Sequence, residues 1–189
     1  MASTSADRRP GRTRQALLGA FVDLMLKHGY TGLTAEQVAE RANVGRSTLY
    51  AHFGGLDGIL KASLARPSAP LAALVDPDAP MADLLWLLDH LKDQRRRNRH
   101  FFHAPLRGIW TRRLAELTEA RLAEQAAGRS PILPWSFIAT QLAETEIALV
   151  MHWLTLSPTT PVETIATALV STVQAMLEAL APLKQGGRS

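Results

Sequence analysis

Residues 33–53, LTAEQVAERANVGRSTLYAHF, leave the chain few ways to fold. The stretch reads as two short helices joined by a tight turn. Thr34 stands where a hydroxyl caps the first helix, and Gln37, three residues on, completes a capping box. Val38, Ala39 and Ala42 recur at the spacing that buries one helical face. Asn43 tolerates a left-handed backbone, Val44 fills the angle between the helices, and Gly45 frees the chain where the second helix begins. On that second helix Leu49 and Phe53 point inward. Arg46, Ser47, Thr48, Tyr50 and His52 are left for a partner. This is the pattern of a helix-turn-helix, whose second helix enters a DNA major groove.

Around it, a first helix is expected over 13–28, with Leu17, Leu18, Phe21, Leu24 and Met25 as its apolar stripe and Gly29 as its stop. A fourth helix over 56–66 is expected to stop at Pro67. With these flanks, residues 13–62 resemble the DNA-binding domain of the TetR family of transcriptional regulators. Members typically show a helix ending in Gly-Tyr or Gly-Phe, then Thr, an Ile/Val-Ala pair, a turn, Thr-Leu-Tyr and His-Phe. Here these are Gly29-Tyr30, Thr34, Val38-Ala39, Asn43-Val44-Gly45, Thr48-Leu49-Tyr50 and His52-Phe53. Three positions depart from the pattern. Asn43 replaces the turn glycine, Gly45 replaces a serine cap, and Gly54-Gly55 follows Phe53 where a lysine often stands. The last departure removes one expected phosphate contact.

The charge distribution agrees with a nucleic-acid partner. Residues 1–66 hold nine basic and five acidic side chains, and residues 67–189 hold twelve of each. The formal excess of +4 therefore sits with the helix-turn-helix. Arg46 suits a bidentate contact with guanine, and Ser47 and Thr48 open the helix that meets base edges. Thr34 sits at a helix start, where a phosphate can be held. The resemblance implies that Tyr50 and His52 contact phosphate, which fixes register rather than reading sequence. The arm, residues 1–12, is expected to be disordered when free. Its arginines, with Arg14, are available to the minor groove or phosphates.

Residues 66–80 contain Pro67, Pro70, Pro77 and Pro80, which read as the end of one helix and a domain boundary. Beyond it, residues 67–183 are Ala/Leu-rich, with helices expected over 81–94, 106–127, 135–156 and 161–182 and a basic-aromatic segment over 95–104. Thr160-Pro161-Val162-Glu163 reads as a capped start of the last helix. Both final helices are apolar most of the way round, which calls for a second burial partner. The resemblance makes that partner another subunit, with Ile138, Leu142, Leu149, Trp153, Ile165, Leu169, Val173 and Met176 at a homodimer interface. The alternative is that both faces lie in one larger core. It also implies a small-molecule effector site between helices, for which Trp86, His90, Phe101, Phe102, Trp110 and His152 are the candidates. The tail, 184–189, is expected to fray.

The expectation is thus an all-α chain of about nine helices. Residues 13–64 form the helix-turn-helix domain, and a helical regulatory and dimerisation domain follows. Its implied role is a repressor of a palindromic operator, modulated by an effector. No cofactor is expected. The chain has no cysteine for a disulfide or thiolate zinc site, and His90, His100, His103 and His152 include no pair at i and i+4 to suggest a metal. No phosphate loop, HExxH or Ser/His/Asp pattern marks an enzyme. The N-terminus lacks an apolar signal region and no run is long enough to span a membrane, so a cytoplasmic protein is expected. The basic run 92–100 reads as a solvated helix end, or as a second nucleic-acid patch. A helical interaction protein that keeps the fold but binds DNA weakly is the rival reading.

Overall fold

Apolar residues spaced three and four apart recur along the chain, and the backbone follows them. The structure, a computed structural model, describes residues 8–95 and 105–184. Among these, eight α-helices are formed: α1 (Arg8–His28), α2 (Ala35–Arg41), α3 (Arg46–Phe53), α4 (Leu56–Ala72), α5 (Met81–Asp93), α6 (Leu106–Gln125), α7 (Trp135–Leu156) and α8 (Val162–Leu180). Short 3-10 turns at Ala73–Val75 and Ala126–Gly128 extend α4 and α6. The chain divides into two compact units, Met1–Leu64 and Ala65–Ser189, and α4 runs across the division.

The first unit buries Leu17, Phe21 and Met25 of α1, Val38 and Ala39 of α2, Leu49 of α3, and Ile59, Leu60 and Leu64 of α4. α1 begins at Arg8, so residues 8–12 belong to a helix and not to a disordered arm; residues 1–7 lie outside those described. Pro10 is no obstacle in a first turn, because its missing N–H would have lacked a helical partner anyway. Gly29, at φ 80°, ends α1 with its N–H on the Met25 carbonyl at 2.9 Å. Asn43 takes the left-handed conformation at φ 54°, and the Val44 N–H closes the turn on the Ala39 carbonyl at 3.0 Å. After α3 the chain needs glycine for steric reasons: a Cβ on Gly58 would be driven into the Phe53 carbonyl.

The largest departure from the sequence expectation is α4, which continues through Pro67 and Pro70. These prolines leave the carbonyls of Ser63 and Arg66 without their usual helical donors, at about 3 kcal/mol per proline. Burial outweighs that cost. Ser68, Leu71 and Ala72 are buried, as are Ala73, Leu74 and Val75 in the turn that follows. Trp110 of α6 donates its indole N–H to the Ser68 hydroxyl at 3.0 Å. The 3-10 turn after α4 ends at Asp76, whose carboxylate accepts from Arg121 at 2.5 Å and from Gln125.

In the second unit α7 packs along α6 and against α8, and α8 also meets α5 and the Ala73–Val75 turn. The side chains expected at a dimer interface are instead spent in this core. Ile138, Leu142, Trp153, Ile165, Leu169 and Val173 are buried within the single chain, and Leu149 and Met176 are half-buried. A helix apolar most of the way round has found its second partner within its own unit. What α7 and α8 turn outward includes Phe137, Glu144, His152, Leu156, Thr167 and Ser171. Thr160 does not cap α8, which starts from Pro161 with no side-chain cap. Its carbonyl accepts the Trp153 indole N–H at 3.0 Å instead. Nor does Lys184 fray, since its N–H bonds to the Gly128 carbonyl at 3.0 Å beside the isolated bridge of Arg129 and Leu183. Residues 185–189 lie outside those described.

One core residue of the second unit breaks the apolar rule. Glu146 of α7 is 1% exposed, and neither carboxyl oxygen has a hydrogen-bond partner. Burial alone pushes its carboxyl well above the ordinary carboxylate range. A folded-state value above the unfolded one means that the native chain keeps a proton the unfolded chain has lost. Stability therefore falls as pH rises from the ordinary carboxylate pKa, about 4.3, toward the folded value.

Two predictions come from these packing facts. Gly58→Ala should destabilise the first unit by about 1–3 kcal/mol, read as a lower urea midpoint. Gly19→Ala, whose Cβ would meet nothing within 4 Å, should be neutral or slightly stabilising. Glu146→Met removes a buried polar group at similar volume and should stabilise the protein by about 1–3 kcal/mol near neutral pH. Its advantage over the wild type should grow between pH 5 and pH 8; an advantage independent of pH would contradict the linkage.

Candidate nucleic-acid interface

The surface of the first unit is built from the ends of α2 and α3. At the start of α2 the Gln37 N–H donates to Thr34 Oγ1 at 3.2 Å, and the Thr34 N–H donates to Gln37 Oε1 at 2.9 Å. The capping box is formed, and the threonine hydroxyl keeps its own proton to donate outward. α3 starts from Gly45 with no side-chain cap, and Leu49 is its one buried residue. Arg46, Ser47 and Tyr50 are exposed, Tyr50 by 45%, while Thr48 and His52 are half-buried. The Arg46 guanidinium lies 5.5 Å from the centre of the Tyr50 ring. Hydrogen bonding to Tyr50, then Coulombic attraction to it, raises the arginine pKa further, and Glu36 adds to the effect.

Thr34, Arg46 and Tyr50 come together at the rim of an open depression of about 480 Å³, with Tyr30, Glu36 and Asp57 on the same lining. Ser47, Thr48 and His52 are not among its lining residues. The arrangement sets two hydroxyls and a permanent cation on one exposed edge, which is suited to anionic oxygens. Glu36 and Asp57 limit where an anion can sit.

Sequence reasoning missed the brace behind this edge. The Tyr30 hydroxyl donates to Asp57 Oδ1 at 2.6 Å, joining the segment after α1 to the start of α4. Burial first, and the Asp57 carboxylate second, push the Tyr30 phenol up to about 12. Asp23 plays a similar part on the other side, accepting from Arg41 at 2.7 Å and Lys27 at 3.1 Å. The Arg41 hydrogen bond, then the Lys27 one, lowers its carboxyl pKa. These pairs are 27 and 18 residues apart, for Tyr30–Asp57 and Arg41–Asp23, and no local pattern announces them. Arg14 lies over the Phe53 ring at 4.7 Å, between α1 and the end of α3.

Among the described residues, those expected at an effector site occupy different settings. Trp86 is 50% exposed and stacks on His90 at 5.3 Å, with Arg66 lying 4.9 Å from its ring. His152 is exposed on α7, whereas Trp110 is core. Phe101, Phe102, His100 and His103 lie outside the described residues. Of the basic run, Lys92 sits 6.0 Å from the Trp153 ring, and residues 96–100 are outside those described.

Residues 17–63 match the family model for bacterial regulatory proteins of the tetR family. Over this segment the chain carries a DNA-binding domain of the tetR type. Its TetR-type segment is 35% identical over 66 residues to the HTH-type transcriptional regulator YxbF of Bacillus subtilis strain 168, covering 34% of this chain and 17% of that protein. It is also 35% identical over 66 residues to the HTH-type transcriptional regulator SrpR of Pseudomonas putida, covering 35% of this chain and 31% of SrpR. The match thus spans less than half the length of these curated relatives. The fold extends further. A TetR transcriptional regulator from Streptococcus agalactiae 2603V superposes with a TM-score of 0.56 at 23% identity, over 88% of this chain and 96% of that one. No helix among the described residues is long and apolar enough to cross a membrane.

The capping geometry separates two roles of Thr34. Thr34→Ala should cost about 1 kcal/mol of first-unit stability, and Thr34→Asp, an equally good cap, should leave it nearly unchanged. Circular dichroism melts of the two variants check this.

Proposed function

We propose that this chain is a TetR-family, sequence-specific DNA-binding transcriptional regulator. It acts as a homodimeric repressor whose affinity for a palindromic operator is lowered by a small molecule held in the second unit. The observation that carries the reading is the exposed edge of α3. Arg46, Ser47 and Tyr50 are presented outward beside the Thr34 hydroxyl, on a helix whose inner face is fully used. In this reading Arg46 reads a guanine edge, and Ser47 and Thr48 meet neighbouring bases. Thr34, Tyr50 and His52 hold phosphates and set the register.

A single eight-residue helix makes too small a contact for tight specific binding, so two copies are needed on half-sites about one DNA turn, roughly 34 Å, apart. The outward faces of α7 and α8 are the surfaces left for the second copy. An effector then acts by linkage: it weakens DNA binding by as much as it prefers a conformation with another spacing.

The test is selection of sites from a random duplex pool. The wild type should enrich a palindrome, and its affinity should fall steeply with salt. Arg46→Ala should relax one base position in each half-site by about 1–3 kcal/mol, while Tyr50→Phe should weaken all sites alike. Thr34→Asp, which keeps the cap, should repel the backbone and lose affinity. No enrichment at low salt would sink this reading and favour a helical interaction module.

A further inference from the structure

Buried polar side chains in folded proteins nearly always find a partner. Among the described residues, the buried side-chain atoms without one are both carboxyl oxygens of Glu146, the Thr118 hydroxyl and the Arg113 Nε. All lie on α6 and α7, the helix pair that packs most extensively in the second unit. Arg113 still donates through Nη1 to Glu116 at 2.9 Å, and a lone threonine hydroxyl is a small defect. A carboxyl with two orphaned oxygens is a large one. Within one turn of Glu146 on α7 stand Leu142, Ala143, Ile147 and Val150, all buried.

Among the described residues, the charged groups on the helices packed with α7 are engaged elsewhere or at least partly exposed. On α6, Arg107 pairs with Glu144 at 3.8 Å and Arg121 with Asp76, while Arg112 and Glu124 are exposed and Glu119 is half-exposed. On α8, Glu163 and Glu178 are exposed. Lys92 of α5 lies against Trp153, two turns further along α7. A metal ion has no supporting ligands, since no group of three or more His, Cys, Asp or Glu comes together among the described residues.

We propose that Glu146 is the polar anchor of the effector site, and that the effector is a compact, mostly apolar organic amine. The inference rests on reading the second unit as ligand-responsive. An ammonium supplies the N–H donors and the positive charge that an acceptor-only carboxylate requires, and an apolar body matches the surrounding side chains. On binding, the carboxyl O–H bond breaks and its proton leaves to solvent, so an ammonium ion is bound by a carboxylate with net release of one proton. Glu146 is closed off in this structure. Binding therefore draws on a state in which α6 and α7 pack differently, which is the differential affinity an effector needs.

Benzylamine, benzyl alcohol and benzoate serve as ring-matched probes for calorimetry on the full chain. Benzylamine should bind the wild type at least tenfold more tightly than the alcohol, with benzoate weakest. Its affinity should rise between pH 6 and pH 8, and the heat should vary with buffer ionisation enthalpy as one released proton requires. Glu146→Gln should lose the amine preference tenfold or more while keeping its helical signal. Glu146→Met, expected to be the more stable variant, should lose it as well. Equal binding of amine and alcohol, an undiminished preference in either variant, or no amine response up to roughly 10 mM, within reach of a fragment of that size, would overturn the site. Amine binding without DNA enrichment would sink the regulator reading and leave the site standing. DNA enrichment without amine binding would do the reverse.

Discussion

An eight-residue helix with one buried side chain has no claim to stability of its own. α3 exists because its two ends are held. At its start, Asn43 turns the backbone left-handed and Val44 closes the turn onto α2. At its end, Gly54 is left-handed, and Gly58 lets the start of α4 lie against the Phe53 carbonyl. Leu49 needs only to fill the space between. Because the ends bear the structural load, Arg46, Ser47 and Tyr50 have no packing duty. That freedom is what makes the edge of α3 suited to recognition.

Features fixed by short-range chemistry were legible in the sequence. The Thr34–Gln37 box, the left-handed Asn43, the Gly29 stop and the inward Leu49 each follow from a few neighbouring residues, and each is formed. Features decided by tertiary burial were not. Pro67 and Pro70 signal a stop, yet α4 passes through both because Ser68 between them and Leu71 and Ala72 after them are buried. Trp153 and Leu142 signalled a surface seeking a subunit, yet they fill the core of their own. The Tyr30–Asp57 brace depends on two residues meeting across a folded unit, and no periodicity encodes that.

The second unit is where local rules are broken most often, and the breaks have a common character. A helix keeps going where prolines should end it, and a helix core carries a carboxyl where an aliphatic residue would pack. Each lowers stability below what the same fold could reach. Proteins tolerate such losses mainly where function requires a strained or polar group. Glu146 fits that description and the prolines of α4 do not, since nothing about them calls for a ligand. Their cost is met by ordinary apolar packing.

The prolines nonetheless change how α4 responds to its surroundings. With the Ser63 and Arg66 carbonyls deprived of helical donors, this part of α4 leans more heavily on side-chain anchors. The Trp110 indole on Ser68 and the Trp86 ring beneath Arg66 are two of them. Trp110 belongs to α6, the same helix that packs along α7 where Glu146 lies. The indole of Trp110 thus ties α6 to α4 at the stretch where α4 lacks its usual backbone bonds.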